Sequence, residues 1–238
     1  MKRKAPAPSL PSGGLTDGDK PAKKEERHMN VPWEESLPYR LLALLVLAVF
    51  YGIYLLKQWR QKRRGIRTMQ IGCRKEAQIR TVERLMGMAT VGIIPAQLMS
   101  IGFGWSHLSA SARFTGFCVG MLGNLVFLLA VLCMKDSWRA GIPDQEKTEL
   151  VTDGIYAFSR NPAFLGFDLQ YIGVLLMFCN LLTGMFTVFA IVMLHLQILQ
   201  EERYLADVFG AEYLDYRRHV LRYLGRLDKQ KTRNYEGY

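Results

Sequence analysis

Residues 85–105 and 114–134 each run for 21 positions without a charged side chain. At about 1.5 Å per residue, such a run makes a helix of roughly 31 Å, the thickness of a bilayer's hydrocarbon core. Inside hydrocarbon every backbone N–H and C=O must be satisfied within the chain, which leaves helices or closed barrels as the available structures. These two runs predict membrane-spanning helices. The polar SHLSASAR stretch between them makes a tight hairpin.

Two further regions extend the pattern. Leu41 to Leu56 is uncharged over 16 residues, or roughly 24 Å as a helix, with Tyr39 on one side and Lys57 and Trp59 on the other as interfacial anchors. Phe164 to Leu199 is apolar over 36 residues but broken near Asn180 to Gly184, which predicts two short helices joined by a turn. The expected fold is an all-α integral membrane protein with about five transmembrane helices and a cytoplasmic C-terminal helical segment. Gly87, Gly92, Gly102, Gly116, Gly120 and Gly123 supply the small residues that let membrane helices approach closely, and Pro95 is expected to kink the second span.

Composition matters here chiefly through charge. The net charge is +10, and most of the excess lies in residues 57–84, with ten Lys or Arg against two Asp or Glu. A nucleic-acid binder would present that charge on a folded soluble face, whereas this segment is wedged between two apolar runs. No nucleic-acid partner is expected. The segment reads as a cytoplasmic loop facing anionic lipid headgroups. With five spans the amino terminus is then outside, and residues 135–163 and 200–238 share the cytoplasm.

Residues 1–40 are rich in Pro, Gly, Lys and Glu and read as a disordered polar tail. No small-residue cleavage site follows the first apolar run, so a cleaved leader is not expected. Residues 41–134 form three amino-terminal membrane helices around the basic 57–84 loop, and 135–238 form the core that carries the chemistry. Cys73, Cys118, Cys133 and Cys179 make no CxxC pair, so core packing is expected of them rather than a disulfide framework or a metal site.

Two polar segments of that core flank the last apolar region. The first is LVTDGIYAFSRNPAFLG (Leu150 to Gly166), with a turn at Asp153-Gly154 and Pro162 suited to the first turn of the next helix. The second is EERYLADVFGAEYLDYRRHVLRYLG (Glu201 to Gly225). Facing one compartment, they can meet at the membrane surface. Read alone, Glu201 and Glu202 are a solvated helix end, and Tyr156 and Phe164 are interfacial aromatics. Arg160 pairs with a lipid phosphate or with Glu202, and His195 bonds to a neighbour. Asp168, the one charged residue in any apolar run, is expected to face a pocket. Tyr213, Tyr216 and Tyr223 with Arg217, Arg218 and Arg222 read as an amphipathic helix on the membrane.

The pair of patterns LVTxGxYxxxRxPxxxG and EExxLxxxFGxEYxxYxxxVxRY, separated by a short apolar hairpin, resembles the isoprenylcysteine carboxyl methyltransferase family, to which phospholipid N-methyltransferases are similar. The resemblance covers about residues 135–225. It implies an integral-membrane enzyme that takes S-adenosyl-L-methionine without a soluble nucleotide fold, and the chain has no G-x-G-x-x-G after a strand. The implied cofactor contacts are Leu150, Val151, Tyr156, Asn161, Pro162, Ala163, Phe164, Gly166, Glu201 and Glu202. Glu201, Asp168 and Gln197 are the candidates for the chemistry. The implied partner is a lipid or prenylated acceptor entering from the bilayer.

Two positions depart from the family's pattern. Asn161 stands where many members carry His, and Gln197 stands where the carboxyl methyltransferases have Arg. Gln has no charge with which to hold a carboxylate, so an amine or another lipid-borne nucleophile stands beside a prenylated-cysteine carboxylate as acceptor. The alternatives to methyl transfer are a nicotinamide-dependent, sterol-reductase-like membrane enzyme and a catalytically silent membrane scaffold. Four basic residues against five acidic in 135–163 make a poor phosphate site, which disfavours the reductase.

Overall fold

The computed structural model describes residues 33–66, 68, 77–139 and 149–227. The expected tail up to residue 32, Cys73 and the middle of the basic segment lie outside them.

Six α-helices and two short 3-10 turns make up the described chain: α1 (Trp33–Arg63), α2 (Ala77–Phe103), α3 (Ala110–Met134), α4 (Pro162–Met177), α5 (Leu181–Phe209) and α6 (Ala211–His219), with the turns at Lys135–Ser137 and Gly154–Ala157. The protein is an all-α membrane protein. Four helices are long and apolar enough to cross a bilayer, α1, α2, α3 and α5, while α4 is an apolar helix of 16 residues. Large apolar side chains such as Leu41, Met88, Val91, Phe114, Leu132 and Met185 point outward, a surface suited to lipid.

Several boundaries differ from the sequence reading. The first helix begins at Trp33 and ends at Arg63, so it takes in part of the expected tail and part of the basic loop. The last apolar region does not form two short helices. The break falls at Phe178 to Asn180, where the Asn180 side chain accepts the Thr183 amide at 3.0 Å, and α5 then runs 29 residues. It passes through the two acids and stops only at Gly210, whose φ of 52° ends the helix. Pro95 lies inside α2, where the sequence reading placed it. Cys118 is exposed on α3 rather than packed in the core.

α3 and α4 pack backbone to backbone along a groove of glycines. A Cβ on Gly173 would come within 2.5 Å of the Gly120 amide nitrogen, and one on Gly123 within 2.7 Å of the Gln170 nitrogen. In lipid, where hydrophobic association between helices is absent, such close contact supplies the van der Waals attraction that joins them. α2 and α5 pack through Met86, Ala89, Ile93, Ala190 and Leu194, with Tyr171 of α4 inserted among them.

Arginines close one end of the bundle. Arg40 donates to the Gly102 carbonyl (2.7 Å) at the end of α2, and Arg113 to the Met177 carbonyl (3.0 Å) at the end of α4, each cation meeting the negative pole of a helix. At the opposite end, Gln61 of α1 donates to the Trp138 carbonyl (2.9 Å) and Arg64 pairs with Asp136 (2.8 Å). That end also gathers the 149–161 segment and everything after Glu201. It holds the site.

Candidate functional site

A cavity of about 520 Å³ opens at this end. Its floor is aromatic: Phe167 packs edge-on to Phe50 (ring centroids 4.7 Å), and Tyr54 packs edge-on to Trp138 (5.6 Å). α2 contributes Met86, Thr90, Val91 and Ile94, and α5 contributes Leu194, Glu201, Tyr204 and Leu205. Leu55 and Val91 line the cavity and are also exposed on the outer faces of α1 and α2, at 59% and 67%, so the cavity reaches the bilayer-facing surface between those helices.

Seven of the residues implied by the sequence resemblance meet around this cavity: Leu150, Val151, Tyr156, Asn161, Ala163, Phe164 and Glu201. The others do not line it. Pro162 is the first residue of α4, and Gly166 lies in the glycine groove against Phe127 and Gly123. Gln197 is buried behind Glu201, donating from Nε2 to Glu201 Oε1 at 3.0 Å. Asp168 is buried outside the cavity. His195 bonds to Tyr223 at 2.6 Å between Nδ1 and the hydroxyl.

Glu202 points away from its neighbour Glu201, as adjacent residues on a helix must. Its Oε1 accepts from Asn161 Nδ2 (3.1 Å) and Arg222 Nε (3.1 Å), its Oε2 accepts from Arg222 Nη2 (2.9 Å), and Arg160 Nη2 approaches to 3.3 Å. The carboxylate is therefore the centre of a buried clamp that ties α5 to the 160–161 turn and to the segment after α6. The hydrogen bonds that Arg222 donates to Glu202 also raise its pKa.

Backbone bonds extend the clamp into a cap. The Arg160 amide donates to the Leu221 carbonyl (3.1 Å), the Gly225 amide to the Phe158 carbonyl (2.7 Å), and the Tyr216 hydroxyl to the Tyr156 carbonyl (2.6 Å). A single antiparallel bridge, Val220 to Arg226, folds the tail back on itself. Gly154 makes the turn beneath, with φ of 59° and a Cβ position only 2.6 Å from Cys133 Sγ, so glycine is required there. Tyr213 is buried at 1% exposure and Tyr216 lines the cavity, so this tyrosine series is not the membrane-lying stripe expected from sequence. Burial, with Glu202 nearby, pushes the Tyr213 phenol up to about 12, and burial drives Tyr156 and Tyr216 higher still.

Other wall residues carry no sequence signal of their own. Tyr51, Tyr54, Thr90 and Ile94 lie in α1 and α2, far from either motif, and only the packing of five helices brings them to the cavity.

The comparisons with known proteins bear on this same region. Residues 116–207 match the model of the isoprenylcysteine carboxyl methyltransferase family. This segment is similar to that family. Among relatives, protein-S-isoprenylcysteine O-methyltransferase B of Arabidopsis thaliana is 30% identical over 110 residues, covering 44% of this chain and 55% of the relative. The protein-S-isoprenylcysteine O-methyltransferase of Saccharomyces cerevisiae is 28% identical over 121 residues (50% and 51%), and that of Mus musculus 38% over 74 residues (30% and 25%). Over these matches the chain spans little more than half the length of the first two relatives and a quarter of the third. The matched segment takes in α4, most of α3 and α5, and the first motif. α1 and the cap after α5 lie beyond it.

Proposed function

We propose that the protein is an integral-membrane methyltransferase that uses S-adenosyl-L-methionine and acts on a lipid or prenylated acceptor, at the cytoplasmic face. The observation that carries this reading is a cavity joining two unlike surroundings, a charged end under the cap and an apolar slot between α1 and α2 that reaches the bilayer. An acceptor whose tail stays in hydrocarbon and a water-soluble donor need such a junction.

The residues present fit the donor. Arg160 lines the charged end beside Tyr213, its Nε and Nη1 making no hydrogen bond of good geometry among the described residues, although the side chain is only 8% exposed. Buried guanidinium N–H groups left over in this way suit a ligand carboxylate. Glu201 offers a carboxylate to an N–H or hydroxyl, and the aromatic walls at Tyr156, Trp138 and Phe164 offer flat faces to a ring or a cation. When bound, the donor supplies a methyl group on a positively charged sulfur.

The chain's own contribution is then chiefly orientation. The slot at Leu55, Val91 and Ile94 holds the acceptor's hydrocarbon and sets the depth of its head group. The cap of α6 and the 220–227 turn covers the charged end and excludes water. The relatives' names favour a prenylated-cysteine carboxylate as acceptor. Gln197, uncharged and committed to Glu201, keeps an amine in contention.

Calorimetric titration of the detergent-purified protein with S-adenosylhomocysteine and with NADPH tests the reading. Binding of the first and not the second is expected. NADPH binding would favour the reductase alternative, and binding of neither would leave a scaffold.

The basic residues at the end of α1, Arg60, Lys62 and Arg63, with Arg63 stacked on Trp59 at 3.8 Å, would hold anionic headgroups beside the slot.

A further inference from the structure

The hairpin after α6 carries an apolar outer face that the cavity does not use. Leu224 near its tip is 69% exposed, and Leu221 and Phe158 are exposed beside it. Backbone bonds hold the three together. The Leu221 amide donates to the Gly225 carbonyl (2.9 Å) and the Gly225 amide to the Phe158 carbonyl (2.7 Å). The Leu221 side chain lies across Gly225, with Cδ1 only 2.9 Å from where a Cβ would stand. None of the three lines the cavity. Large apolar side chains exposed singly need no explanation, but a contiguous set held by the backbone marks a surface that meets something apolar.

The inner side of the same hairpin fixes its level in the membrane. Arg222 bonds to Glu202, and the next residue, Tyr223, bonds to His195. Glu202 and His195 are seven residues apart on one face of α5, two turns and about 10 Å along the axis. Consecutive residues of the hairpin therefore reach from the first acids after the apolar run to a point well inside that run. The headgroup layer is only roughly 5–7 Å thick on each side of the hydrocarbon, so the Tyr223 hydroxyl reaches its lower edge. His195 also continues an outward stripe: Val188 and Val192 precede it by seven and three residues, and both are exposed. Tyr223, alone of its series, thus comes to rest on the lipid-facing side of α5.

We propose that residues 220–227 form a foot set into the bilayer leaflet at the cavity end, with Phe158, Leu221 and Leu224 against acyl chains and Tyr223 at the headgroup boundary. The occupant of this face is the leaflet, because the foot is continuous with the lipid-facing stripe of α5. Charge agrees with that placement. Arg217 in the last turn of α6 and Arg226, opposite Val220 in the bridge, are both exposed and supply cations at the level of the headgroup phosphates. The cap is then held from two sides. The Glu202 clamp ties it to protein, and the foot ties its outer edge to lipid.

The test uses the full wild-type chain in phosphatidylcholine nanodiscs doped with a phosphatidylcholine that carries a diazirine in the upper half of one acyl chain. After illumination, mass spectrometry should find lipid adducts on residues 220–227 as well as on the Val188 to Leu196 stretch of α5, and none around Glu212 of α6. Leu224→Asp should lose the hairpin adducts and keep those on α5, which also report that the variant is folded into the disc. Adducts on α5 with none on 220–227 in wild type would overturn the foot, and cross-links between copies through 220–227 would then assign the face to a second copy. Adducts as frequent around Glu212 as on the hairpin would overturn it too, since the whole cap would then meet lipid without distinction.

Discussion

Adjacent carboxylates on α5 have opposite duties, and the helix itself decides which has which. Successive residues on an α-helix are about 100° apart, so Glu201 faces the cavity while Glu202 faces the 160–161 turn. Two predictions separate them. Glu201→Gln should weaken S-adenosylhomocysteine by roughly ten- to a hundredfold, the worth of one charged hydrogen bond, with little change in melting temperature. Glu212→Gln on α6 is the control and should leave affinity unchanged. Glu202→Gln should instead destabilise the protein by about 2–4 kcal/mol, because Arg160 and Arg222 lose their shared partner; the partial exposure of Arg222 keeps the cost below that of a fully buried pair. A thermal melt in detergent reads this directly. An unchanged melting temperature for Glu202→Gln would mean that the clamp holds nothing. The motif brought both acids to notice, but the sequence reading sent both to the cofactor, since nothing in a sequence says where a side chain already has a partner.

Among the elements, the α3–α4 pair and the cap carry the most specific expectations. Gly173→Val should cost about 3 kcal/mol or more, since its first added carbon meets the backbone of Gly120 and neither helix can yield without moving the motif turn at the head of α4. Gly52→Ala in α1, where nothing stands within 4 Å, should be neutral or gain about 0.5–1 kcal/mol from helix propensity. The cap should respond to alkali. Its phenols ionise at higher pH when folded than their ordinary value of 10.0, Tyr213 at about 12. Below pH 10 the phenols are neutral in both states and contribute no pH dependence. From about pH 10 to 12 the unfolded cap releases protons that the folded cap retains, so its stability falls as pH rises through that window. Protease cleavage after residue 210, followed against pH together with tyrosinate absorbance, should rise there and not below. Helix existence was legible from apolar runs. The helix ends misjudged at Trp33, Arg63 and Phe209 lie where polar residues continue a helix that runs beyond the apolar stretch.

For the molecule as a whole, the expected arrangement puts the cavity end in the cytoplasm, with the basic end of α1 beside it. Single cysteines at Arg64, which is exposed, and at Glu212 should then be labelled by an impermeant reagent only after cells are opened. Labelling of either on intact cells would reverse the orientation. Replacing Arg60, Lys62 and Arg63 with Gln should lower preference for anionic over zwitterionic lipid by about 1 kcal/mol per residue, measured by lipid retention in native mass spectrometry.

By itself the sequence determined the solvent and the secondary structure. Long uncharged runs admit only backbone-satisfied helices in lipid, and that conclusion needs no knowledge of contacts. It also marked the two motif segments, because turn residues, Pro162 and paired acids are local signals. Local patterns cannot say which faces of separate helices meet. Tertiary structure alone decided that Tyr51, Tyr54, Thr90 and Leu55, from helices outside both motifs, wall the cavity, and that Arg222 takes Glu202 for the clamp. It alone turned Glu83 from a loop charge into a buried residue of α2. Periodicity fixes direction around one helix axis. Position between helices is set by glycine-level packing and by where buried polar groups can be satisfied together, which are properties of the assembled bundle.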